Sequence, residues 1–473
     1  MVFSSVLFLF YFLPVFLIIY QLLPHKYRNY WALIASLVFY AWGAPKFVFV
    51  VTSVIIVDFY IVKNIYKSDN KKLRSRLLAL SIFIKIGLLA YFKYANFFVD
   101  NFDRLIISIG FESVGWTKVA LPIGISFFTF QALTYSVDVY RNVHKPLKTV
   151  ADYLLYILLF PQLIAGPIVR YNEIADQLVD RKETDNYDNK ILGFYRFVIG
   201  LSKKVLIANI LGAEADKIFA LSEAELYTNV AWIGVFAYTF QIYFDFSGYS
   251  DMAIGLGRMM GFTFPENFNN PYVSQNITEF WRRWHITLGR FMRDYLYIPL
   301  GGNKVTIKRM YFNLAFVFVI SGFWHGADWN FIIWGAYHGF FLIMDKLFLL
   351  KLYNRIGKYP SVLITFFLTL IGWVIFRATS INQIIFYLKS MFNFNFTNYY
   401  VDSRFWTVLI LAIIFSSITL LKKGLIIENF IFFKQSYSNN QILLFGLLTF
   451  VLFFISTVYI VSSGFNPFIY FKF

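Results

Sequence analysis

The chain has 473 residues, 59% of them hydrophobic and 15% charged, where a soluble chain carries about 25% charged residues. It contains no cysteine, which excludes a disulfide, a thiolate nucleophile, a Cys-ligated metal and a covalent acyl relay through a thiol of this chain. The net charge of +17 comes from basic residues in short loops between apolar runs, a pattern that answers to anionic lipid and not to nucleic acid.

Apolar runs of roughly 17–25 residues recur along the chain, the length a helix needs to cross a bilayer. The expectation is an all-α polytopic membrane protein, one integral membrane domain over residues 1–473 with no soluble domain. Predicted spans are 3–23, 29–43, 46–62, 77–99, 119–140, 150–166, 191–211, 228–247, 310–323, 328–350, 360–377, 404–421 and 441–462. Some are too short to cross fully, so about eleven to thirteen helices with several half-spans are expected. The N-terminus lacks a basic n-region and an A-x-A site and reads as a retained first span. Basic clusters at His25–Arg28 and Lys63–Arg76 bracket the second and third spans. With these loops cytoplasmic, Lys304–Arg309, Lys346–Lys358 and Lys422/Lys423 fall inside and both termini outside. No internal repeat of the kind common in transporters is visible.

Residues 248–305 interrupt the pattern, being polar and rich in Asn, Gly and Arg. A helix is predicted over Thr278–Ile298, started by Asn276 as N-cap with Glu279 three residues on. On a wheel, Trp284, Leu288, Met292 and Tyr295 fall within ~60° of Trp281, with Arg282, Arg283, Arg290, Arg293 and Asp294 opposite. His285, ~40° from Trp281, stands at the edge of the apolar stripe. Asp245 and Asp251, at the end of the 228–247 span, are either proton-relay groups or ion-pair partners of Arg258, Arg282 or Arg283; a buried carboxylate needs such a partner.

The sequence SGFWHGADWN (321–330) places His325 at the tip of a hairpin between two apolar runs with basic outer ends. The thirteen or so residues from Arg309 to Ser321 rise only ~20 Å as a helix, against ~30 Å of hydrocarbon, so the imidazole falls below the far surface. An ionisable group at that depth points to function. Trp324, Trp329 and Trp334 offer an apolar wall, which favours the neutral imidazole that a general base requires. Of the other histidines, His25 and His144 sit in basic loops and read as structural. His338, within GAYHG, reads as packed against small residues. No H-x-x-H, H-E-x-x-H or G-x-S-x-G spacing occurs, so no metal site and no serine triad are expected.

FPQLIAGPIVRYNEI (160–174), YTFQIYFDFSGYSDMAIGLGRMMGFTFPENFNNPY (238–272), FWRRWHITLGRFMRDYLYIPLGGNK (280–304), SGFWHGADWNFIIWGAYHG (321–339) and NPFIYFKF (466–473) resemble the membrane-bound O-acyltransferase (MBOAT) family. The likeness is to its bacterial alginate O-acetylation branch, and is densest over about 120–345. It implies a helical bundle around a central tunnel where an acyl donor from the cytoplasm meets an acceptor from the other face. It implies His325 and His285 as catalytic residues, and makes Trp324, Trp281, Arg282, Arg283, Asp245 and Asn267 the substrate-binding candidates. The donor implied is acetyl-CoA, with no tightly bound cofactor. Its polyanionic head favours Arg282, Arg283 and Lys304 at the inner mouth.

The expected function is O-acetylation of an exported or cell-wall polysaccharide at the bacterial cytoplasmic membrane. A separate extracytoplasmic SGNH-type partner would complete transfer to the glycan. Two rival readings remain open: D-alanylation of teichoic acid from a carrier protein, and a proton-coupled transporter or flippase.

Overall fold

The computed structural model describes residues 1–434 and 437–464, and every regular element within them is a helix. The terminal motif 466–473 lies outside the described residues. A helix satisfies its own backbone groups, which lipid cannot do for it. The helices that frame the site or cross the bundle include, in chain order, Phe8–Leu22 (α1), His25–Gly43 (α2), Phe47–Lys67 (α3), Lys71–Ser108 (α4), Ile125–Tyr140 (α5) and Val150–Leu158 (α6). There follow Tyr187–Ser202 (α7), Thr228–Met259 (α8), Ile277–Arg283 (α9), Ile286–Met292 (α10) and Ile307–His325 (α11). Trp329–Ile356 (α12), Lys358–Arg377 (α13), Ser403–Leu420 (α14) and Asn439–Ser462 (α15) close the described chain.

Six of these, α3, α4, α12, α13, α14 and α15, are long and apolar enough to cross a membrane. Several other predicted spans prove shorter or broken. The 119–140 run becomes helical only at Ile125, and the 150–166 run ends its helix at Leu158, before Pro161. The chain leaves the helical region at Leu159 (φ −52°, ψ 110°), and Pro161 then sits in the first turn of a new short helix, Phe160–Leu163, where its missing N–H costs no bond. The outer helices expose apolar side chains, such as Leu443, Leu447, Phe450 and Phe454 on α15, as a lipid-facing surface does.

Helix α8 is the central pillar. Nearly all of its 32 residues are buried, so it carries apolar and small side chains all round instead of a single stripe. It runs on to Met259, well past the predicted end at 247. Helix α7 lies close along it, because a Cβ on Gly200 or Gly248 would strike the other glycine's carbonyl.

That contact explains the carboxylates of α8. Asp245 pairs with Lys204 at 2.7 Å, and Asp251 with Arg196 and Lys203 at 2.6 and 2.7 Å. The ion-pair alternative is the one the fold adopts, but the partners come from upstream. Arg283 instead pairs with Glu279, and Arg258 binds Asn189. A second buried network joins Lys85 of α4 to Asp58 of α3 at 2.8 Å, with Ser81 and Tyr153 donating to the same carboxylate at 2.6 Å each.

Candidate active site

The predicted hairpin forms, and its first arm is longer than the apolar run: α11 continues through Gly322 to His325, its last residue. The arms cross where glycine permits. A Cβ on Gly322 would meet the carbonyl of Phe331, and one on Gly335 the carbonyl of Phe318. Asp328 then caps α12 by accepting from the Trp329 amide at 2.6 Å.

His325 is 5% exposed, and neither ring nitrogen has a protein partner. Its ring packs edge-on to Trp324, Trp334 and Phe376 at centroid distances of 4.9, 5.1 and 5.4 Å. Trp329 is not part of this wall. It lies half exposed, packs on Phe97 and donates to Asn101 at 3.0 Å. The helix ends at His325 and restarts at Trp329, so the turn carries that indole outward.

The helix predicted over 278–298 is broken at the second histidine. α9 stops at Arg283, Trp284 is extended, and His285 takes φ +45° and ψ +54°, the left-handed region that costs a side-chain-bearing residue about 1 kcal/mol or more. The segment around Asn267 compensates. Asn269 N donates to Arg283 O and Ile286 N to Asn267 O, both at 2.9 Å, in place of helical bonds. The face assigned on a continuous wheel therefore does not carry across the break. Asn276 caps α9 as predicted, accepting from Glu279 N at 2.7 Å, while the Glu279 carboxylate accepts from Gln275 N at 2.9 Å.

Asn267 also fixes the imidazole. Its Oδ1 accepts from Thr287 Oγ1 at 2.8 Å and from His285 Nδ1 at 3.0 Å, while its Nδ2 donates to Ser250 Oγ and Gly166 O. Nδ1 of His285 thus carries the proton and Nε2, which has no partner, is left as an acceptor. Phe246 packs edge-on at 4.7 Å. Trp324 touches both histidines, with its centroid 6.1 Å from His285 and 4.9 Å from His325.

A third histidine extends the series. His338 packs on Trp334 and Trp281, each at 5.0 Å, and has an unpartnered Nδ1. It also meets a small residue, since a Cβ on Gly372 would fall 2.8 Å from its Nε2. His25 and His144 stand apart, against Asp185 and Tyr171. Of the expected binding residues, Trp324, Trp281 and Asn267 therefore join this cluster. Asp245 is held by Lys204, Arg283 by Glu279, and Arg282 is exposed.

Two cavities adjoin His325. One of about 110 Å³ is lined by His325, Trp324, Ser126, Phe127, Ile164 and Lys93 among others. A larger one of about 400 Å³ is lined by Asn96, Asn101, Arg104, Asp328, Trp329 and again Lys93. Lys93 and Leu121 belong to both and form the partition. Sequence reasoning passed over Lys93, although a lysine inside the apolar run 77–99 was itself the signal.

The model of the membrane-bound O-acyltransferase family matches residues 7–381. The chain is 46% identical over 395 residues to the probable alginate O-acetylase AlgI of Pseudomonas aeruginosa, covering 83% of this chain and 75% of that one. It is 39% identical over 429 residues to the peptidoglycan O-acetyltransferase of Helicobacter pylori, covering 84% and 80%. A teichoic acid D-alanyltransferase of Streptococcus thermophilus is 30% identical over 272 residues, covering 54% and 65%. With this match and its membrane-length helices, the chain belongs to the membrane-bound O-acyltransferase family and is a multi-pass membrane acyltransferase.

Proposed function

We propose that the protein transfers acetyl groups across the bacterial cytoplasmic membrane for O-acetylation of an exported polysaccharide, with His325 as general base. One observation carries this reading: a buried imidazole with two unpartnered nitrogens lines a cavity that is separated from a wider vestibule only by Lys93 and Leu121. In that setting Nε2 or Nδ1 of His325 takes the proton of an attacking hydroxyl. His285, its tautomer held by Asn267, orients the reacting groups through its free Nε2.

Charge distribution supports the direction of transfer. The vestibule is built from residues 92–104, 119–121 and 326–331, the ends that the positive-inside rule places away from the cytoplasm. The acceptor hydroxyl enters there, either on the glycan or on a serine of a separate SGNH-type partner. Acetyl-CoA enters from the opposite side, where exposed Arg282 and Lys304 suit its polyanionic head. The names of the Pseudomonas and Helicobacter relatives point to acetyl and a polysaccharide.

The test is acyl transfer by purified protein in lipid nanodiscs, supplied with acetyl-CoA on one face and a hydroxyl acceptor on the other. Release of CoA with acetylation of the acceptor, both lost in His325→Ala, is the expected result. Turnover only with a D-alanyl carrier protein would replace acetyl by D-alanyl. No turnover with either donor would end the reading.

A further inference from the structure

Lys93 is 8% exposed and lies on α4, a helix long and apolar enough to cross the membrane. Its ammonium donates to Trp324 O at 2.6 Å, His325 O at 3.2 Å and Ser126 Oγ at 3.2 Å. No carboxylate among the described residues lies within 4.0 Å of it. This separates it from the other buried lysines, since Lys85 faces Asp58 and Lys204 faces Asp245.

A buried ammonium without an anion is costly in a membrane. The carbonyls at the C-terminus of α11 offset part of that cost, because the helix dipole puts partial negative charge there. Among the described residues Lys93 is the only Lys, Arg, Asp or Glu lining the 110 Å³ cavity, so its ammonium form supplies the positive charge that faces the space beside His325. Ser126, which lines the same cavity, accepts one N–H of Lys93 and keeps its own hydroxyl proton to donate into the space.

We propose that Lys93, acting through the hydroxyl of Ser126, stabilises the oxyanion that forms on the acyl carbonyl beside His325. The proposal rests on the reading of His325 as general base. The acceptor oxygen attacks the carbonyl carbon of a thioester donor, a C–O bond forms, and the carbonyl π pair moves onto oxygen. The hydroxyl proton passes to His325. When the intermediate collapses the C–S bond breaks, and sulfur leaves as a thiol by taking that proton back. Negative charge rises on the oxygen only between these two events. An ammonium held by three acceptors and a pre-aligned hydroxyl therefore lower the barrier without tightening substrate binding. Ser126 is the group that touches the oxyanion; Lys93 is a positioning residue that polarises it and also caps α11.

The experiment measures kcat, KM for the acyl donor and abundance in nanodiscs for Lys93→Met, Lys93→Arg, Ser126→Ala and His325→Ala. Lys93→Met should lower kcat about 10²–10³-fold with KM changed by less than about threefold. Ser126→Ala, which leaves the two cap bonds in place, should lower kcat roughly 10–100-fold. Lys93→Arg should recover at least about tenfold over Lys93→Met, as restored charge requires. The proposal is overturned if either Lys93→Met or Ser126→Ala keeps kcat within about threefold, or if the losses lie in KM. Should Lys93→Met fail to accumulate, Ser126→Ala decides alone. An active His325→Ala would instead remove the reading on which the proposal stands.

Discussion

His285 and His325, forty positions apart, meet across one indole: Trp324 stands between their rings at 6.1 and 4.9 Å. The two imidazoles are held in different ways. His285 is tied through Nδ1 to Asn267, whereas His325 has no hydrogen bond from either nitrogen and is positioned by packing alone. His285 therefore offers only Nε2 to a bound group, whereas His325 offers either ring nitrogen.

His325→Ala is accordingly expected to lose about 10²–10⁴-fold in acyl transfer, the scale of a lost general base, while accumulating in the membrane at the wild-type level. Rate per unit of immunodetected protein checks it. A rate near wild type would withdraw the catalytic assignment.

His285→Ala should be impaired but not dead if, as proposed, this imidazole orients groups and leaves the proton transfer to His325. Asn267→Ala removes the acceptor shared by His285 and Thr287 and should reproduce most of that loss with His285 still present. Stopped-flow rates on both variants decide the point. An Asn267→Ala enzyme as fast as wild type would show that the tautomer of His285 is set some other way.

Much of this was legible in the sequence, and the failures have identifiable causes. The hairpin and the outer helices follow from apolar runs of membrane length, and Asn276 capped the helix it was assigned to cap. The break at His285 left no glycine or proline to mark it, because it is imposed by pairing with Asn267 and Asn269, which no local pattern encodes. Helix α8 outran its predicted end because Asp251 looks like a terminator until Arg196 and Lys203 are seen to neutralise it. Trp329 was misplaced as a wall of the site because its position depended on where α11 ended.

The Lys204–Asp245 pair supplies a test of packing separate from catalysis. Lys204→Met removes the cation that faces a buried carboxylate and should cost about 3–5 kcal/mol, whereas Lys204→Met with Asp245→Leu removes both charges and should cost less. Thermal unfolding in detergent reads the order. A double variant less stable than the single one would contradict it.

Topology is open to cysteine labelling without background, because the chain has no native cysteine. Cysteines at Ser68, Asn303 and Asn354 should resist a membrane-impermeant thiol reagent in intact cells and react after permeabilisation. One at Ser113, exposed beyond the end of α4, should react at once. The outward position expected for Lys472 falls outside the described residues, and a cysteine there should behave like Ser113. External labelling at Asn303 or Asn354 would invert the hairpin and the proposed entry of the acyl donor.

The two buried lysines of α4 also set a timetable for biogenesis. Lys85 meets Asp58, made 27 residues earlier on α3, so its charge is matched as soon as the two helices pair. Lys93 must wait for Trp324, 231 residues later, which at ~5–20 residues per second is ~10–50 s of synthesis. Until then the Lys93 amine has Ser126 but lacks the two carbonyl acceptors that hold it in the folded chain. Arrival of the hairpin supplies those carbonyls in the same contact that brings His325 to the cavity, so the Lys93 site and the His325 site are completed in one event.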